Sequence, residues 1–141
     1  MKKVITFLYC LLFTVMAFAA KPDSTLFKGY LYNAQYEVYL RINFYENDVT
    51  IPHYEDLYGP LPGFFGDIHD GRRWLITTAT IKGRTASIEL SNDYGSEDLQ
   101  ATLTAEKDGS FTLRQGKGST LKIARNRKWV KMPGEMTFVK K

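Results

Sequence analysis

The chain has 141 residues, of which 44% are hydrophobic, 14% aromatic and 24% charged, with 11 Gly, 5 Pro and 1 Cys. This composition fits one globular domain and excludes a collagen-like chain, a disulfide-stabilised scaffold and a wholly disordered protein. The net charge of +4 is unevenly distributed, because residues 21–111 carry 8 basic and 14 acidic side chains whereas residues 112–141 carry 9 and 1.

An export signal is predicted at residues 1–19. Lysines precede an apolar run from Val4 to Phe18, and small residues stand at the positions that signal peptidase accepts. Cleavage after Ala19 would leave residues 20–141 as a single domain, located in the periplasm or secreted. The only cysteine, Cys10, lies in the removed segment, and the bulky residues before it argue against lipidation. We therefore expect a mature protein without disulfides, thiolate catalysis or zinc–thiolate sites.

The mature part of the chain is dominated by alternating apolar and polar residues, which is the pattern of strands with one buried face. The clearest example is Tyr36–Tyr45, followed by a turn at residues 46–48 and a short return strand, Val49–Ile51. The other predicted strands are Leu26–Tyr32, Phe64–Ile68, Arg73–Lys82, Thr85–Leu90, Leu99–Ala105, Phe111–Arg114, Thr120–Arg125, Trp129–Met132 and Met136–Val139.

The segments between these strands carry turn signals. Tyr54–Gly63 is rich in Gly and Pro and predicts an extended loop, and Asp70-Gly71 favours a type I′ hairpin turn. Residues 91–98 predict a polar loop, and residues 107–109 predict another hairpin turn. No segment has the period of an amphipathic helix. The sequence therefore predicts an all-β fold.

Consecutive strands joined by short turns favour an up-and-down meander. An open sheet made of all these strands would expose two long edges. Closing the sheet removes both edges. We predict a small antiparallel up-and-down β-barrel of about eight to ten strands, with a β-sandwich as the alternative.

The runs FKGYLY, YEVYLRINFYENDVT, ATIKGRTASIEL and TLTAEKDGSFTLRQGKGSTLKIAR resemble small exported calycin-like (lipocalin-like) barrels. Each repeats a strand, a short polar turn and a strand, with Gly or Asp-Gly at several reversals. The resemblance covers most of residues 20–141, but Gly29-Tyr30-Leu31 stands where lipocalins have Gly-x-Trp. It implies a barrel whose interior either holds an apolar ligand or is filled by side chains.

Aromatic residues supply the candidate ligand site. Tyr39 and Tyr45 fall on the polar face of their strand, and four more aromatic residues bracket the Gly/Pro loop: Tyr54, Tyr58, Phe64 and Phe65. We predict that these six residues contact a small apolar ligand at the barrel mouth, with packing between strands as the alternative. Trp74 and Trp129 are expected in the core.

Signals for catalysis or metal binding are weak. Asp67 and His69 would share one face of a strand and, with residues near His53, offer metal ligands without a dedicated spacing. Residues 91–98 offer oxygen ligands but not the EF-hand spacing. We predict no metal and no cofactor, and a hydrolase with dispersed carboxylates is the least favoured function.

The basic C-terminal segment offers a second candidate surface. Its candidate partner-binding residues are Lys122, Arg125, Arg127, Lys128 and Lys131. They would form a docking face for an anionic protein, or would be solvated positions that neutralise the acidic part of the chain. Nucleic acid is not an expected partner, because no reader motif is present. We therefore predict a non-enzymatic exported binding protein, with a protein-interaction module or inhibitor as the alternative.

Overall fold

The computed structural model describes residues 25–141, so the predicted export signal lies outside the described residues. Within them the only helix is α1 (Glu55–Tyr58). The strands are β1 (Lys28–Asn33), β2 (Val38–Asn43), β3 (Gly63–Asp67), β4 (Asp70–Lys82), β5 (Thr85–Asn92), β6 (Asp98–Ala105), β7 (Ser110–Gly118), β8 (Lys122–Arg125), β9 (Lys128–Lys131) and β10 (Glu135–Lys140).

Eight of these strands form a closed antiparallel barrel, which confirms the predicted fold class. β1 to β7 pair in chain order, and β10 closes the barrel by pairing with both β7 and β1. β8 and β9 form a separate two-stranded hairpin between β7 and β10. Among residues 25–141, no helix is long and apolar enough to cross a membrane.

The barrel interior is filled by side chains. Alternation along each strand sends every second side chain inward. Each barrel strand contributes at least one fully buried apolar residue, and examples in chain order are Leu31, Leu40, Phe65, Ile76, Ile88, Leu103, Leu113 and Phe138. Phe27 stacks on Phe44 and meets Phe111 edge-on, with ring centroids 5.7 and 6.1 Å away, and these rings pack together at one end of the barrel. An eight-stranded barrel is just wide enough for such filling.

The connection between β2 and β3 packs against the outside of the barrel. Ile51 is buried there against Phe64 and Leu75. The predicted return strand Val49–Ile51 is wrong, because Val49 makes a single bridge to Leu61 and β2 pairs with β3 instead. The loop that was predicted to be extended contains the single turn of α1. Residues 49–51 therefore do not pair with β2 as predicted, and Ile51 is buried on the outer face of the barrel instead.

The turn between β3 and β4 also differs from the prediction. It is centred on Ile68 and His69, with Asp67 paired to Asp70, and Gly71 lies inside β4. The conformation predicted for Asp70-Gly71, with positive φ at two successive residues, is found instead in the β8–β9 turn, residues 126–127 (φ 53° and 64°). Pairing across β3 and β4 therefore overrode a local turn signal.

Truncating a core side chain tests the filled interior. Leu103→Ala should lower the free energy of unfolding by about 3 kcal/mol, because it leaves a cavity among packed neighbours. Val139→Ala removes side-chain carbons from a half-exposed site on β10 and should change it by less than about 0.5 kcal/mol. Urea unfolding of both variants measures the difference, and similar midpoints would contradict a packed interior.

Candidate functional site

The β8–β9 hairpin lies across one end of the barrel, which we call the covered end. The turns between β1 and β2, β3 and β4, and β5 and β6 lie at this end. The hairpin is anchored by apolar side chains, since Leu121, Ile123 and Met132 are buried in the same cluster as the barrel interior. Strand alternation directs Ile123 towards the barrel and places Trp129, which pairs with Ala124, on the hairpin's other face.

An ion pair fixes the hairpin to the end of β3. The Asp67 carboxylate is only 3% exposed, and it accepts hydrogen bonds from both terminal nitrogens of Arg125. Arg125 also donates to the backbone carbonyl of Tyr36, 2.9 Å away. The hydrogen bonds to Asp67 raise the pKa of Arg125 above its ordinary value. Because a buried carboxylate requires a charged partner, this pair sets where the hairpin lies.

A second ion pair holds the hairpin to the β5–β6 loop. Lys122 Nζ lies 2.7 Å from a carboxylate oxygen of Glu97, and this hydrogen bond lowers the pKa of Glu97. Asn92 orders the same loop, because its side chain accepts from the backbone N–H groups of Ser96 and Glu97. The loop predicted as a weak calcium candidate is thus organised by its own amide and by Lys122.

A pocket of about 250 Å³ lies between the hairpin and the covered end. Phe65, Trp74 and Ile123 supply its buried apolar wall. Asp70 and Glu97 lie on its polar side, and each has a basic partner, Arg72 and Lys122 respectively. Two further charged residues of the lining, Arg73 and Asp93, form no ion pair among the described residues. The pocket therefore combines an apolar wall with charges of both signs, most of which are paired.

Arg72 and two exposed aromatic rings form the rim of this pocket. The Arg72 guanidinium carbon lies 5.0 Å from the centre of the Trp129 ring, and its hydrogen bond with Tyr94 raises its pKa. Trp129 is 58% exposed and Tyr94 is 72% exposed. Exposed Tyr, Trp and Arg side chains around a concave site are typical of binding surfaces.

An irregularity in β4 places Arg72 on this rim. Between the pairs Phe65–Trp74 and Asp67–Asp70, three residues of β4 oppose the single residue Gly66. Such a bulge re-aims side chains locally. It lets Arg72 reach Trp129, whereas the next residue, Arg73, lies over the ring of Phe64. Nothing in the alternation of the sequence marks this bulge.

The structure does not bring the six predicted ligand residues together. Phe65 lines the pocket, but Phe64 points to the outer face of the barrel. Tyr54 and Tyr58 border a neighbouring, more open depression, where the Tyr58 hydroxyl donates to the carbonyl of Asp93. This depression shares five lining residues with the pocket: Asp70, Arg72, Arg73, Asp93 and Tyr94.

Tyr39 lies outside the barrel, away from the pocket. Its ring stacks on Tyr30 with centroids 5.1 Å apart and contacts Phe64 edge-on at 5.8 Å. Gly66 leaves room for this ring, since a Cβ there would lie 2.4 Å from a Tyr39 ring carbon. Burial raises the pKa of Tyr30. These residues form a packed aromatic cluster on the barrel wall.

Tyr45 and the two tryptophans complete the comparison with the prediction. The Tyr45 hydroxyl accepts a hydrogen bond from the backbone N–H of Phe27, at the barrel end opposite the hairpin. Trp74 is in the core as predicted, but the same prediction for Trp129 is wrong because the hairpin presents its ring at the surface. Sequence analysis did not assign Arg72 or Tyr94 to a site, and no motif distinguishes them.

The five predicted partner-binding residues separate into two groups. Lys122 and Arg125 are used within the fold, in the two ion pairs described above. Arg127, Lys128 and Lys131 are exposed, and none of them forms an ion pair within residues 25–141. Of these five residues, the three that remain available to a partner therefore lie in β9 and in the turn before it.

The weak metal candidates are dispersed. Asp67 is held by Arg125, and His69 Nε2 lies 3.0 Å from Glu37. Among the described residues, no three His, Cys, Asp or Glu side chains are grouped closely enough to hold a metal ion.

Comparison with protein-family models, curated proteins and solved structures gives no match. The resemblance to calycin-like barrels therefore stays a prediction, and the function has to be argued from the site.

The Arg125–Asp67 pair should contribute to stability. Removing one partner of a buried ion pair costs about 3–5 kcal/mol, and because Arg125 is 28% exposed we expect about 2 kcal/mol for Arg125→Ala. Lys128→Ala, on the same hairpin but exposed and unpaired, should cost less than about 0.5 kcal/mol. Urea unfolding measures both. Equal midpoints for the two variants would contradict the role of the pair.

Glu97 should make the covered end sensitive to acid. Its pKa is below the ordinary value of 4.5, so its contribution to stability is present above that value and is lost as the pH falls through the lowered pKa. Wild type should therefore melt at a higher temperature than Glu97→Gln at pH 7. This gap should narrow as the pH falls below 4.5 and should be lost once the pH is below the lowered pKa of Glu97. Thermal melts over this pH range measure the gap, and a gap independent of pH would refute the assignment.

Proposed function

We propose that the chain is an exported, non-enzymatic binding protein whose small-ligand site is the pocket at the covered end. The observation that carries this proposal is the contrast between a packed barrel interior and a pocket rimmed by Arg72, Tyr94 and Trp129. Ligand sites are typically concave, largely apolar and provided with a few convergent polar groups. The pocket meets that description, whereas the barrel axis offers packed side chains.

The pocket also restricts the ligand. Its volume of about 250 Å³ is slightly below the usual range of ligand pockets, which is about 300–1,000 Å³. Its lining carries side chains of both signs in nearly equal number. The acidic ones are Asp67, Asp70, Asp93 and Glu97, and the basic ones are Arg72, Arg73 and Lys122, with Arg125 paired to Asp67 from outside the lining. No excess of one sign is therefore left to attract a ligand with a net charge. These properties favour a small, mainly apolar ligand without net charge, with one polar group directed at the rim.

Native mass spectrometry of the protein from its host's exported fraction tests the proposal. Wild type should carry an additional mass that is lost on denaturation. Arg72→Ala removes the cation on the Trp129 ring and should weaken retention about tenfold. Arg41→Ala is the matched control, because Arg41 lies 5.7 Å from the Tyr30 ring on the barrel wall and should retain the mass.

Tryptophan fluorescence then assigns the site. The chain has two tryptophans, and both line the pocket. Adding the released compound back to the stripped protein should change the emission of wild type and of Arg41→Ala at the same concentration. Absence of a bound mass, or equal loss from both arginine variants, would overturn the proposal.

A further inference from the structure

β9 has a free edge. Within the described residues it pairs with β8 alone, and all four of its residues are exposed. The barrel strands have no such edge, because their sheet is closed. An exposed strand edge presents unpaired backbone groups, to which another chain can add as a further strand.

The register of the hairpin identifies the free backbone groups. Met132 donates its backbone N–H to the carbonyl of Leu121, 2.8 Å away. Hydrogen-bonded and non-bonded pairs alternate along an antiparallel ladder, so the pairs Ile123–Val130 and Arg125–Lys128 bond each other. The N–H and C=O groups of the alternate residues, 129 and 131, therefore point away from β8.

Charge limits what can add to this edge. Arg127, Lys128 and Lys131 are exposed and have no ion pair within residues 25–141. A second copy of β9 would bring the same basic side chains to this edge. In the antiparallel register that places residue 131 opposite residue 131, lysine would stand opposite lysine, and like charges directly opposite are destabilising. An extended segment with carboxylates at these positions would be attracted instead. Trp129 and Val130 add exposed apolar surface between the lysines.

We propose that β9 is a docking edge for an extended acidic segment of a partner protein, which adds to the hairpin as a third strand. Backbone hydrogen bonds at residues 129 and 131 supply the pairing, and the flanking basic side chains select for acidic sequence. The proposal does not depend on occupation of the pocket, because it requires only the outward edge of β9.

The test uses a blocked, fluorescently labelled peptide of about six residues in which two glutamates three positions apart stand among valines. This spacing matches that of Lys128 and Lys131, which lie on opposite faces of β9, and the comparison peptide has lysine in place of glutamate. Fluorescence anisotropy should show binding of the glutamate peptide and none of the lysine peptide. Raising the salt concentration should weaken the binding, because exposed charges are screened. Equal binding of both peptides, or of neither, would overturn the proposal.

Two substitutions at one position separate charge from backbone pairing. Lys131→Ala removes only the charge and should weaken binding of the glutamate peptide about threefold. Lys131→Pro also removes the outward N–H without removing a bond to β8, since proline is tolerated on an open edge, and should weaken it by about a further fivefold. Equal affinities for these two variants would exclude strand addition.

Charge reversal gives a readout that does not depend on proline. The double variant Lys128→Glu, Lys131→Glu should no longer bind the glutamate peptide and should bind the lysine peptide instead. Circular dichroism of each variant checks that the fold is intact. Failure of the reversed pair to exchange its preference would contradict selection by these lysines.

Discussion

The buried carboxylate of Asp67 is the constraint on which the covered end depends. It lies where β3 ends, almost fully removed from solvent, and such a charge is tolerated only with a partner that offers opposite charge and hydrogen bonds. Arg125, at the end of β8 in the hairpin, provides both. The pair holds the hairpin at a fixed place over the barrel, and the pocket is the space that remains between them.

The filled interior determines where a function can reside. Lipocalin-type barrels of eight strands can hold one small ligand along their axis, but here large apolar side chains from all eight strands meet there. Binding surface is left at the end, where the bulge in β4, the β5–β6 loop and the hairpin each contribute a side chain to the rim. Arg72, Tyr94 and Trp129 come from these three elements, so the rim exists only once the hairpin has docked.

Local sequence signals were sufficient for most of the barrel. Alternation in Tyr36–Tyr45 correctly placed Val38, Leu40 and Ile42 inside, because a strand of a barrel has only two faces. The turn signal at residues 107–109 also marked a real turn. The β3–β4 turn was misplaced because its position depends on register across two strands, which a dipeptide cannot encode.

The candidate site was less predictable than the barrel because its contacts are long-range. Arg125 and Asp67 are 58 residues apart, and a basic run gives no indication of which member will be buried. Trp129 was expected in the core because large aromatic residues are usually buried, but its position on a two-stranded hairpin leaves it no second layer to pack against.

The hairpin itself joins the two proposed surfaces. One side of it carries Ile123 and Arg125 towards the barrel, and its far edge carries the free backbone groups of residues 129 and 131. Trp129 belongs to both, because its ring lines the pocket while its backbone lies on the edge. The basic residues of the hairpin therefore have two physical roles. Lys122 and Arg125 attach the hairpin to acidic residues at the covered end of the barrel. Arg127, Lys128 and Lys131 remain exposed on its outer edge and turn.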